Sequence, residues 1–472
     1  MKKGIIIIEI IIKDKEVENL NNIEMAKLIA EKVADFGGAV YFVGGYVRDK
    51  LLGRDNKDID IEVHNISPDQ LEKILDSLGT RLEMGKSFGI YGIKGYSLDI
   101  ALPRTERPIG SGHRDFEVKT DPYIGTFEAS KRRDFTINAL MENVLTGEII
   151  DHFSGQNDLK EGVIRHIDDN TFRDDALRVL RAAQFAARFN FTIADETIWL
   201  CKTIDLSTLS CERIMLEMKK ALIKSDKPSI FFEELRQMNQ LSVWFPEVKE
   251  LIGVPQNKEH HMEEDTWTHT MMVLDEAAKR RNLVRYPLGF MIAALCHDFG
   301  KAICTEETDG IIHAYGHETK GLPLVQTFLE RITTETKLIR YVLNMTELHM
   351  QPNIMAGARS RLKSTNKMFD SSIEPFDLIQ LGICDGLGKI PPRDDTEEFL
   401  MQRYKRFEEI MAKPYVMGRD IIEAGLKPSK QFSEILAYAH KMRLAGCNKN
   451  NSLKQTISYA RKVLKITEVN DN

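Results

Sequence analysis

Asp58 and Asp60 are spaced so that their carboxylates can act on one ligand. In the segment DIDIEV acidic and apolar residues alternate, which predicts a β-strand with both aspartates on the same face. Two carboxylates side by side repel each other unless a cation lies between them. Mg²⁺ suits such a pair, because it takes one or two protein carboxylates and completes its coordination with water and substrate phosphates. The spacing therefore predicts a metal site for a phosphate-bearing substrate.

The residues before this strand supply groups that could hold phosphates. The apolar run Ala39–Val43 predicts a strand, and Gly44 and Gly45 after it predict a tight turn. A short helix is predicted next, over Tyr46–Leu52. Backbone N–H groups at such a turn bind anions, and the guanidinium of Arg48 could pair with phosphate oxygens. The whole segment, GGYVRDKLLGRDNKDID, resembles the first motif of the class II tRNA nucleotidyltransferase and bacterial poly(A) polymerase superfamily.

A second motif, KRRDFTINAL, follows a Pro- and Gly-rich stretch over Pro103–Gly125 that is expected to be a long loop. Its apolar positions predict a helix over Lys131–Leu140, and Arg133, Asp134 and Asn138 would lie around one face of that helix. A solvated helix face is the ordinary interpretation of such charges. RRDFTINAL resembles the second signature of the superfamily, which implies that these three residues hold the triphosphate and sugar of a nucleotide.

A third motif, DDALRVLRAAQF, opens a helix predicted over Asp174–Phe191. Asp175, Arg178 and Arg181 would share one face, where a carboxylate and an arginine could match the amino group and ring nitrogen of cytosine or adenine. Ordinary i,i+3 ion pairs are the alternative. The segment resembles the base-reading motif of CCA-adding enzymes. Gln184 stands where that motif commonly has a further arginine, which leaves the strictness of base selection open.

Histidines and aspartates recur at the ends or centres of apolar helical stretches in the second half of the chain. They are, in order, His269, His297, Asp298, His317, His349 and Asp385. Scattered histidines are usually core or surface groups, but ligands on facing helices can converge on one metal ion. The pattern H…HD…H…H…D resembles the HD phosphohydrolase domain.

That second resemblance implies a divalent metal, of an identity that the sequence leaves open, bound by four ligands: His269, His297, Asp298 and Asp385. His317 and His349 would be further ligands or phosphate contacts. The metal would activate water for attack on phosphorus. The implied activities are phosphatase or 2′,3′-cyclic phosphodiesterase.

Composition limits the class of protein. With 472 residues, of which 42% are hydrophobic, the chain can form about three domains. The net charge of -6 excludes a uniformly basic nucleic-acid coat, but the segment Ile435–Thr467 contains no acidic residue and several lysines and arginines, so it could face RNA. The six cysteines form no CxxC pair, which favours reduced thiols in the cytoplasm. No segment is long and apolar enough for a membrane span, and Gly4–Ile12 is expected to be an extra strand or an unpaired extension.

The expected fold class is α+β, with a small mixed-sheet nucleotidyltransferase head followed by helical parts. The expected domains are an extension (1–23), the head (24–150), a helical neck and body for base reading and RNA binding (151–255), an HD phosphohydrolase domain (256–412) and a helical basic tail (413–472). The expected cofactors are Mg²⁺ in the head and a divalent metal in the HD domain. The expected partners are tRNA, ATP and CTP, with neither a membrane nor an obligate protein partner.

The resemblance implies template-independent addition or repair of the 3′-terminal CCA of tRNA, with pyrophosphate released. Two alternatives stay open. A poly(A) polymerase on the same scaffold would share every residue named above. A hydrolase whose transferase domain is not catalytic would not require an intact pair of aspartates, so the presence of Asp58 and Asp60 argues against it.

Overall fold

The computed structural model describes residues 20–56, 58–85, 89–108, 116–257, 262–263, 265–393 and 396–464. The chain divides into two compact units. Unit 1 contains the described residues up to Met218 together with Ile230–Val243, and unit 2 contains Lys219–Ser229 and the described residues from Trp244 onward. The strand predicted within Gly4–Ile12 lies outside the described residues. The finer division into five segments remains a prediction.

Unit 1 is built on strands that alternate with short helices. The strands are β1 (Ala39–Val43), β2 (Ile59–His64), β3 (Arg81–Gly85), β4 (Ile90–Ile93), β5 (Leu98–Ala101), β6 (Arg104–Pro108), β7 (Phe116–Thr120), β8 (Met141–Asn143), β9 (Ile149–Ile150), β10 (Val163–Ile164) and β11 (Thr192–Ile193). Seven of them form one sheet in the order β3-β4-β5-β2-β1-β8-β9. Within this sheet β2 and β5 are parallel and the other pairs antiparallel, so the predicted mixed sheet is confirmed.

The helices of unit 1 flank this sheet or follow it. They are α1 (Asn22–Ala34), α2 (Gly45–Leu51), α3 (Pro68–Leu78), α4 (Gly125–Lys131), α5 (Gly155–Glu161), α6 (Asp169–Arg173), α7 (Leu177–Phe189), α8 (Asp195–Cys201), α9 (Cys211–Lys224), α10 (Ser229–Gln237) and α11 (Leu241–Trp244); α9, α10 and α11 cross the boundary between the units. Helix α3 begins as its sequence predicts, with Ser67 capping the backbone N–H of Gln70 and Pro68 at the first position.

Three local predictions for unit 1 were wrong. The helix predicted over Lys131–Leu140 does not form: α4 ends at Lys131, and only a 3₁₀ turn over Thr136–Asn138 follows. Instead the backbone is extended at Phe135, which bridges to His166. The long loop expected over Pro103–Gly125 contains the antiparallel hairpin of β6 and β7. The helix predicted from Asp174 begins only at Leu177.

Among its described residues, unit 2 is helical apart from one hairpin. Its further elements are α12 (Pro246–Lys249), α13 (Thr266–Arg280), α14 (Pro287–Cys296), α15 (Lys301–Cys304), β12 (Glu306–Thr308), β13 (Ile311–His313), α16 (His317–Lys320), α17 (Leu322–Ile332), α18 (Thr336–Leu348), α19 (Met350–Gly357), α20 (Leu362–Ser371), α21 (Pro375–Leu387), α22 (Thr396–Ala412), α23 (Gly418–Glu423), α24 (Phe432–Leu444) and α25 (Lys449–Val463). The fold class, a mixed-sheet head followed by helices, is therefore confirmed. Among the described helices, none combines the length and the apolar character that a membrane crossing needs.

Helix α14 is the centre of unit 2. Its sequence PLGFMIAALC is apolar on every side, as expected of a helix buried all round, and it packs against α13, α18 and α21. The helix ends at Cys296, so the polar motif that follows it, His297 and Asp298, is placed inside the helical core. At Gly300 an added Cβ would collide with the backbone oxygen of His317, so glycine is required for the α16 segment to approach this closely.

Candidate functional site

Three carboxylates lie together at one end of the large sheet. The parallel register of β2 and β5 places Asp60 directly beside Asp99, and Asp58 comes immediately before β2. Burial, followed by the negative charges of Asp99 and Asp58, raises the pKa of Asp60 to about 6, although Arg133 opposes the rise. Oxygen donors that repel each other in this way suit a hard divalent cation. The structure thus brings the predicted pair together and adds Asp99 to it.

The glycine turn and Arg133 lie next to each other. Gly44 has a positive φ of 64°, and a Cβ at this position would lie 3.1 Å from Nη1 of Arg133. Gly45 begins α2 immediately after that turn. The charge of Arg133 lowers the pKa of Asp60, so one positive group faces both the turn and the carboxylates. A triphosphate bound beside Asp58 and Asp60 would therefore contact the guanidinium of Arg133.

Glu62 is a buried residue that the sequence analysis did not single out. Its carboxylate lies 2.9 Å from Nε2 of His64, 3.1 Å from Nη2 of Arg132 and 3.6 Å from Nη2 of Arg133. Burial would raise its pKa, but the hydrogen bond from His64 and the two arginines lower it to about 2. Glu62 therefore stays ionised and anchors the arginines. The alternation that linked Asp58 and Asp60 extends to Glu62 and could have identified it.

Four of the other predicted nucleotide-binding residues form one chain of hydrogen bonds. Arg48 donates from Nη1 to Oδ1 of Asn138 at 2.5 Å, and Asn138 donates from Nδ2 to Oδ1 of Asp134 at 3.0 Å. Asp134 accepts from Nε of Arg181 at 2.7 Å. Arg48 is buried, bonded to Asp49 and stacked on aromatic rings of α7, so in this conformation it supports the wall of the site. The roles predicted for these residues remain predictions.

The three proposed base readers do not lie on one helical face. Asp175 precedes α7, and its carboxylate accepts from Nη2 of Arg213 at 2.8 Å. Arg178 donates to the backbone oxygens of Thr171 and Arg132, both at 2.7 Å. Arg181 pairs with Asp134 and lies over an aromatic ring of its own helix. Arg178 and Arg181 both lower the pKa of the buried Asp134, so these two arginines converge there.

A second cluster in unit 2 contains the four predicted histidines, all buried. Each donates from Nδ1 to a backbone carbonyl: His269 to Gly388, His297 to Ala294, His317 to Ala314 and His349 to Thr346. Because a carbonyl oxygen only accepts, these bonds fix the proton on Nδ1 and turn Nε2 inward as a metal donor. The Nε2 atoms of His269 and His297 are 3.3 Å apart, as are those of His317 and His349.

Asp298 lies between the two histidine pairs. Its Oδ2 is 3.2 Å from Nε2 of His297, and its Oδ1 is 3.1 Å from Nε2 of His317. Two groups of three potential metal ligands therefore share this carboxylate: His269, His297 and Asp298, and Asp298, His317 and His349. Burial would raise the pKa of Asp298, but its contact with His297 and the positive charge of Lys301 hold it well below its usual range.

Asp385 completes the cluster, with its Oδ1 3.2 Å from Nε2 of His269. Two lysines that the sequence analysis did not single out pair with these carboxylates. Lys301 lies 2.7 Å from Oδ2 of Asp298, and Lys389 lies 3.3 Å from Oδ1 of Asp385. Their spacings, i,i+3 and i,i+4, are those of neighbouring side chains on helices and could have indicated the pairs.

The donor set fits a divalent metal. Imidazole Nε2 atoms that carry no proton would repel one another at 3.3 Å without a cation between them. Nitrogen and carboxylate oxygen donors together suit zinc, iron, manganese or related ions. All six predicted metal-centre residues meet here, and the shared carboxylate allows two ions, so the predicted second-tier residues His317 and His349 can serve as ligands.

Sequence comparison identifies relatives of the chain. Residues 40–165 match the family described as the poly A polymerase head domain. The multifunctional CCA protein of Actinobacillus pleuropneumoniae serotype 5b (strain L20) is 37% identical over 327 residues, which cover 68% of this chain and 77% of the relative. The multifunctional CCA protein of Pseudoalteromonas atlantica (strain T6c / ATCC BAA-1087) is 41% identical over 318 residues, covering 66% and 75%.

Solved structures share the fold. A CCA-adding enzyme with ATP superposes with a TM-score of 0.66 at 21% identity and covers 94% of each chain. The Thermotoga maritima CCA-adding enzyme in complex with tRNA has a TM-score of 0.63 at 20% identity, covering 93% of this chain and 95% of its own. The likeness extends over both compact units, since nearly the whole chain is covered.

Proposed function

The chain belongs to the multifunctional CCA protein family, and from this premise we propose that it adds or repairs the 3′-terminal CCA of tRNA, using CTP and ATP. The observation that carries the proposal is the convergence of Asp58, Asp60 and Asp99 with Arg133 beside the Gly44 turn. Six free thiols are in keeping with the reducing cytoplasm in which we propose that it works.

In each addition the 3′-hydroxyl oxygen of the tRNA attacks the α-phosphorus of the nucleotide. A P–O bond forms to the RNA, the bond from the α-phosphorus to the bridging oxygen breaks, and pyrophosphate leaves with that electron pair while the hydroxyl proton passes to solvent. Divalent ions, proposed to be Mg²⁺ held by Asp58 and Asp60, would lower the pKa of the hydroxyl and neutralise the leaving group. Arg133, anchored by Glu62, would hold the triphosphate against the Gly44 and Gly45 turn.

We propose that base selection takes place around Asp134. Arg48, Asp134 and Asn138 would bind the sugar and phosphates, and Asp175, Arg178 and Arg181 would address the base. Asp175 and Arg181 each hold a charged partner, Arg213 and Asp134. A nucleotide would have to exchange with those ion pairs, which gives the protein a means of presenting the same donors and acceptors to cytosine and adenine and rejecting bases that mismatch them.

The test is extension of tRNA ending at the discriminator base with each labelled nucleoside triphosphate, followed by sequencing of the added end. We expect CTP to add two residues and ATP one. Asp58→Ala should lower the rate by about a thousandfold, because a lost metal carboxylate removes several kcal/mol of transition-state stabilisation. Long products from ATP alone would instead indicate the poly(A) polymerase alternative.

We propose a second activity for unit 2, metal-dependent hydrolysis of phosphate esters at RNA 3′ ends. The shared Asp298 and the inward Nε2 atoms support it, since they could hold one or two divalent ions against a phosphate. His297→Ala should abolish hydrolysis of a 2′,3′-cyclic phosphate and leave CCA addition intact. Full metal-dependent hydrolysis by His297→Ala would refute this second activity.

A further inference from the structure

A cavity of about 270 Å³ opens onto the metal-binding cluster of unit 2. Three of the potential ligands, Asp298, His317 and Asp385, line it together with Lys301 and Lys389. Both lysines are held within 3.3 Å of a ligand carboxylate, so positive charge flanks the place where a phosphate would meet the metal. The volume lies near the lower end for small-ligand sites, of about 300 Å³ and above, and suits one small molecule.

An aromatic pair forms another part of the cavity lining. The rings of His313 and Tyr315 are stacked, with centroids 4.8 Å apart and planes 14° from parallel. Tyr315 is 69% exposed, so the pair presents an aromatic surface to solvent. We call His313 and Tyr315 the aromatic wall.

The fold ties the aromatic wall to the metal cluster. His313 ends β13, and its register opposite Glu306 is set by the Asp309-Gly310 turn, in which both residues have positive φ. Ala314 lies between His313 and Tyr315 in the sequence, and its peptide oxygen accepts the Nδ1 hydrogen of His317 at 2.8 Å. Tyr315 is two residues before His317, and two residues span at most about 7 Å. One nucleoside could therefore contact the aromatic wall and reach His317.

We propose that the aromatic wall stacks on the base of a nucleotide whose ribose phosphate lies at the metal cluster. This inference rests on the proposed hydrolase activity and assigns the residues that recognise the base of its substrate, a nucleoside phosphate that is free or at an RNA end. Aromatic rings stack on any base, so the wall would accept different 3′-terminal nucleosides. The two lysines would receive the phosphate.

The test compares two substrates on the full-length, metal-loaded protein: adenosine 2′,3′-cyclic phosphate and glycerol 2-phosphate, which has no base. For Tyr315→Ala we expect kcat/KM on the nucleotide to fall about tenfold, mainly through KM, because a stacking surface is lost. Hydrolysis of glycerol 2-phosphate should be unchanged. Tyr315→Phe, the matched control, keeps the ring and should retain wild-type kcat/KM on both substrates. His313→Ala should act in the same direction as Tyr315→Ala.

The possible outcomes separate the two proposals. If Tyr315→Ala keeps the wild-type kcat/KM on the nucleotide, the stacking role of the aromatic wall is wrong. The proposed hydrolase activity would still stand. An equal fall on both substrates would also overturn it, since that pattern indicates displacement of His317. If the wild-type protein hydrolyses neither substrate, the hydrolase activity fails, and the role of the aromatic wall fails with it. CCA addition by each variant reports that unit 1 is folded, and unchanged hydrolysis of glycerol 2-phosphate reports that unit 2 is folded.

Discussion

Asp60 lies beside two other carboxylates, Asp99 and Asp58, and after burial the charge of Asp99 raises its pKa more than the charge of Asp58 does. Asp99→Asn removes one of three negative charges around the proposed Mg²⁺ site. We expect the Mg²⁺ concentration for half-maximal CCA addition to rise about tenfold, because the attraction for a divalent cation falls with each lost carboxylate. Initial rates of CTP incorporation across a Mg²⁺ series measure it. Asp55→Asn, an exposed neighbour, is the control, and an unchanged Mg²⁺ dependence in Asp99→Asn would contradict the prediction.

Glu62 gives a second prediction at the scale of single residues. Glu62→Gln keeps the size of the side chain but removes the charge that anchors Arg133, so we expect KM for CTP and ATP to rise about tenfold. Steady-state kinetics of each nucleotide measure this change. The exposed Glu148→Gln is the matched control on the same domain. A variant with wild-type KM for both nucleotides would show that Glu62 does not position Arg133.

The low pKa of Glu62 also predicts a pH dependence of stability. Its pKa is lowered from 4.5 to about 2 in the folded protein, so its stabilising contribution is present above about pH 4.5 and is lost as the pH falls towards 2. Glu62→Gln should therefore lower the free energy of unfolding by up to about 3 kcal/mol at pH 7, and the difference from wild type should shrink below pH 4. Urea unfolding at both pH values tests this difference.

The residue types at the two sites could be predicted from sequence, but most of their contacts could not. The alternation in DIDIEV gave the face of Asp58 and Asp60, and the same pattern contained Glu62. The nearness of Asp99 depends on the parallel pairing of β2 with β5, which no local pattern encodes. The partner of Asp175, Arg213, is likewise 38 residues away. Gln184 is buried, a fact that its place in a motif does not reveal.

Among whole elements, helix α10 contains a group whose ionisation should act on stability. Glu234 is buried on this helix, and within the described part of the chain no hydrogen-bond donor reaches its Oε2. Burial, with a smaller effect from the charge of Glu233, raises its pKa from 4.5 to about 7. The folded protein therefore binds this proton more tightly than the unfolded chain, and stability is lost as the pH rises from about 4.5 through 7.

Glu234→Gln should consequently stabilise the protein more at pH 8 than at pH 5. The glutamine keeps the shape of the protonated acid and carries no charge to bury. Thermal melts give the difference in melting temperature between variant and wild type at each pH. Comparing this difference at pH 5 and pH 8 cancels the contributions of other titrating groups. The partly exposed Glu233→Gln on the same helix is the control. A difference between variant and wild type that is equal at the two pH values would contradict the raised pKa.

Sequence periodicity gave most helices but misplaced one at the site. Over Lys131–Leu140 the apolar spacing is helical, yet the chain is extended at Phe135. There Oδ1 of Asp134 accepts the backbone N–H of Phe135, and the carbonyl of Arg165 accepts that of Thr136. These bonds satisfy the backbone N–H groups of Phe135 and Thr136 without a helix. Hydrogen bonds to distant residues can thus outweigh the local helix propensity. Periodicity cannot reveal them because Arg165 is distant in sequence.

At the scale of the whole molecule, the two candidate centres belong to different compact units and use different donors. The head presents carboxylates at a sheet end, whereas unit 2 presents four histidines and two carboxylates from a buried bundle. Carboxylates alone suit Mg²⁺, and the mixed set suits a transition metal or zinc. The order of motifs in the sequence predicted two centres, and from their donor sets we propose that they bind different ions.

Metal removal should therefore affect the two units unequally. The Nε2 atoms of unit 2 face one another inside the core, so we expect prolonged chelation to lower the melting temperature of unit 2. Restoring a transition metal at a hundred times its dissociation constant should recover about 2.7 kcal/mol, because the ion binds only the folded form. Differential scanning calorimetry of chelated and reloaded protein measures the shift.

Two variants identify where that stabilisation arises. Asp58→Ala should keep the full metal-dependent rise, because its carboxylate belongs to the head and takes no part in the histidine cluster. His297→Ala should lose the rise, since it removes the Nε2 atom that lies 3.2 Å from the shared Asp298 and 3.3 Å from His269. An equal rise in both variants would place the stabilising ion outside the histidine cluster, and a rise lost only in Asp58→Ala would place it in the head.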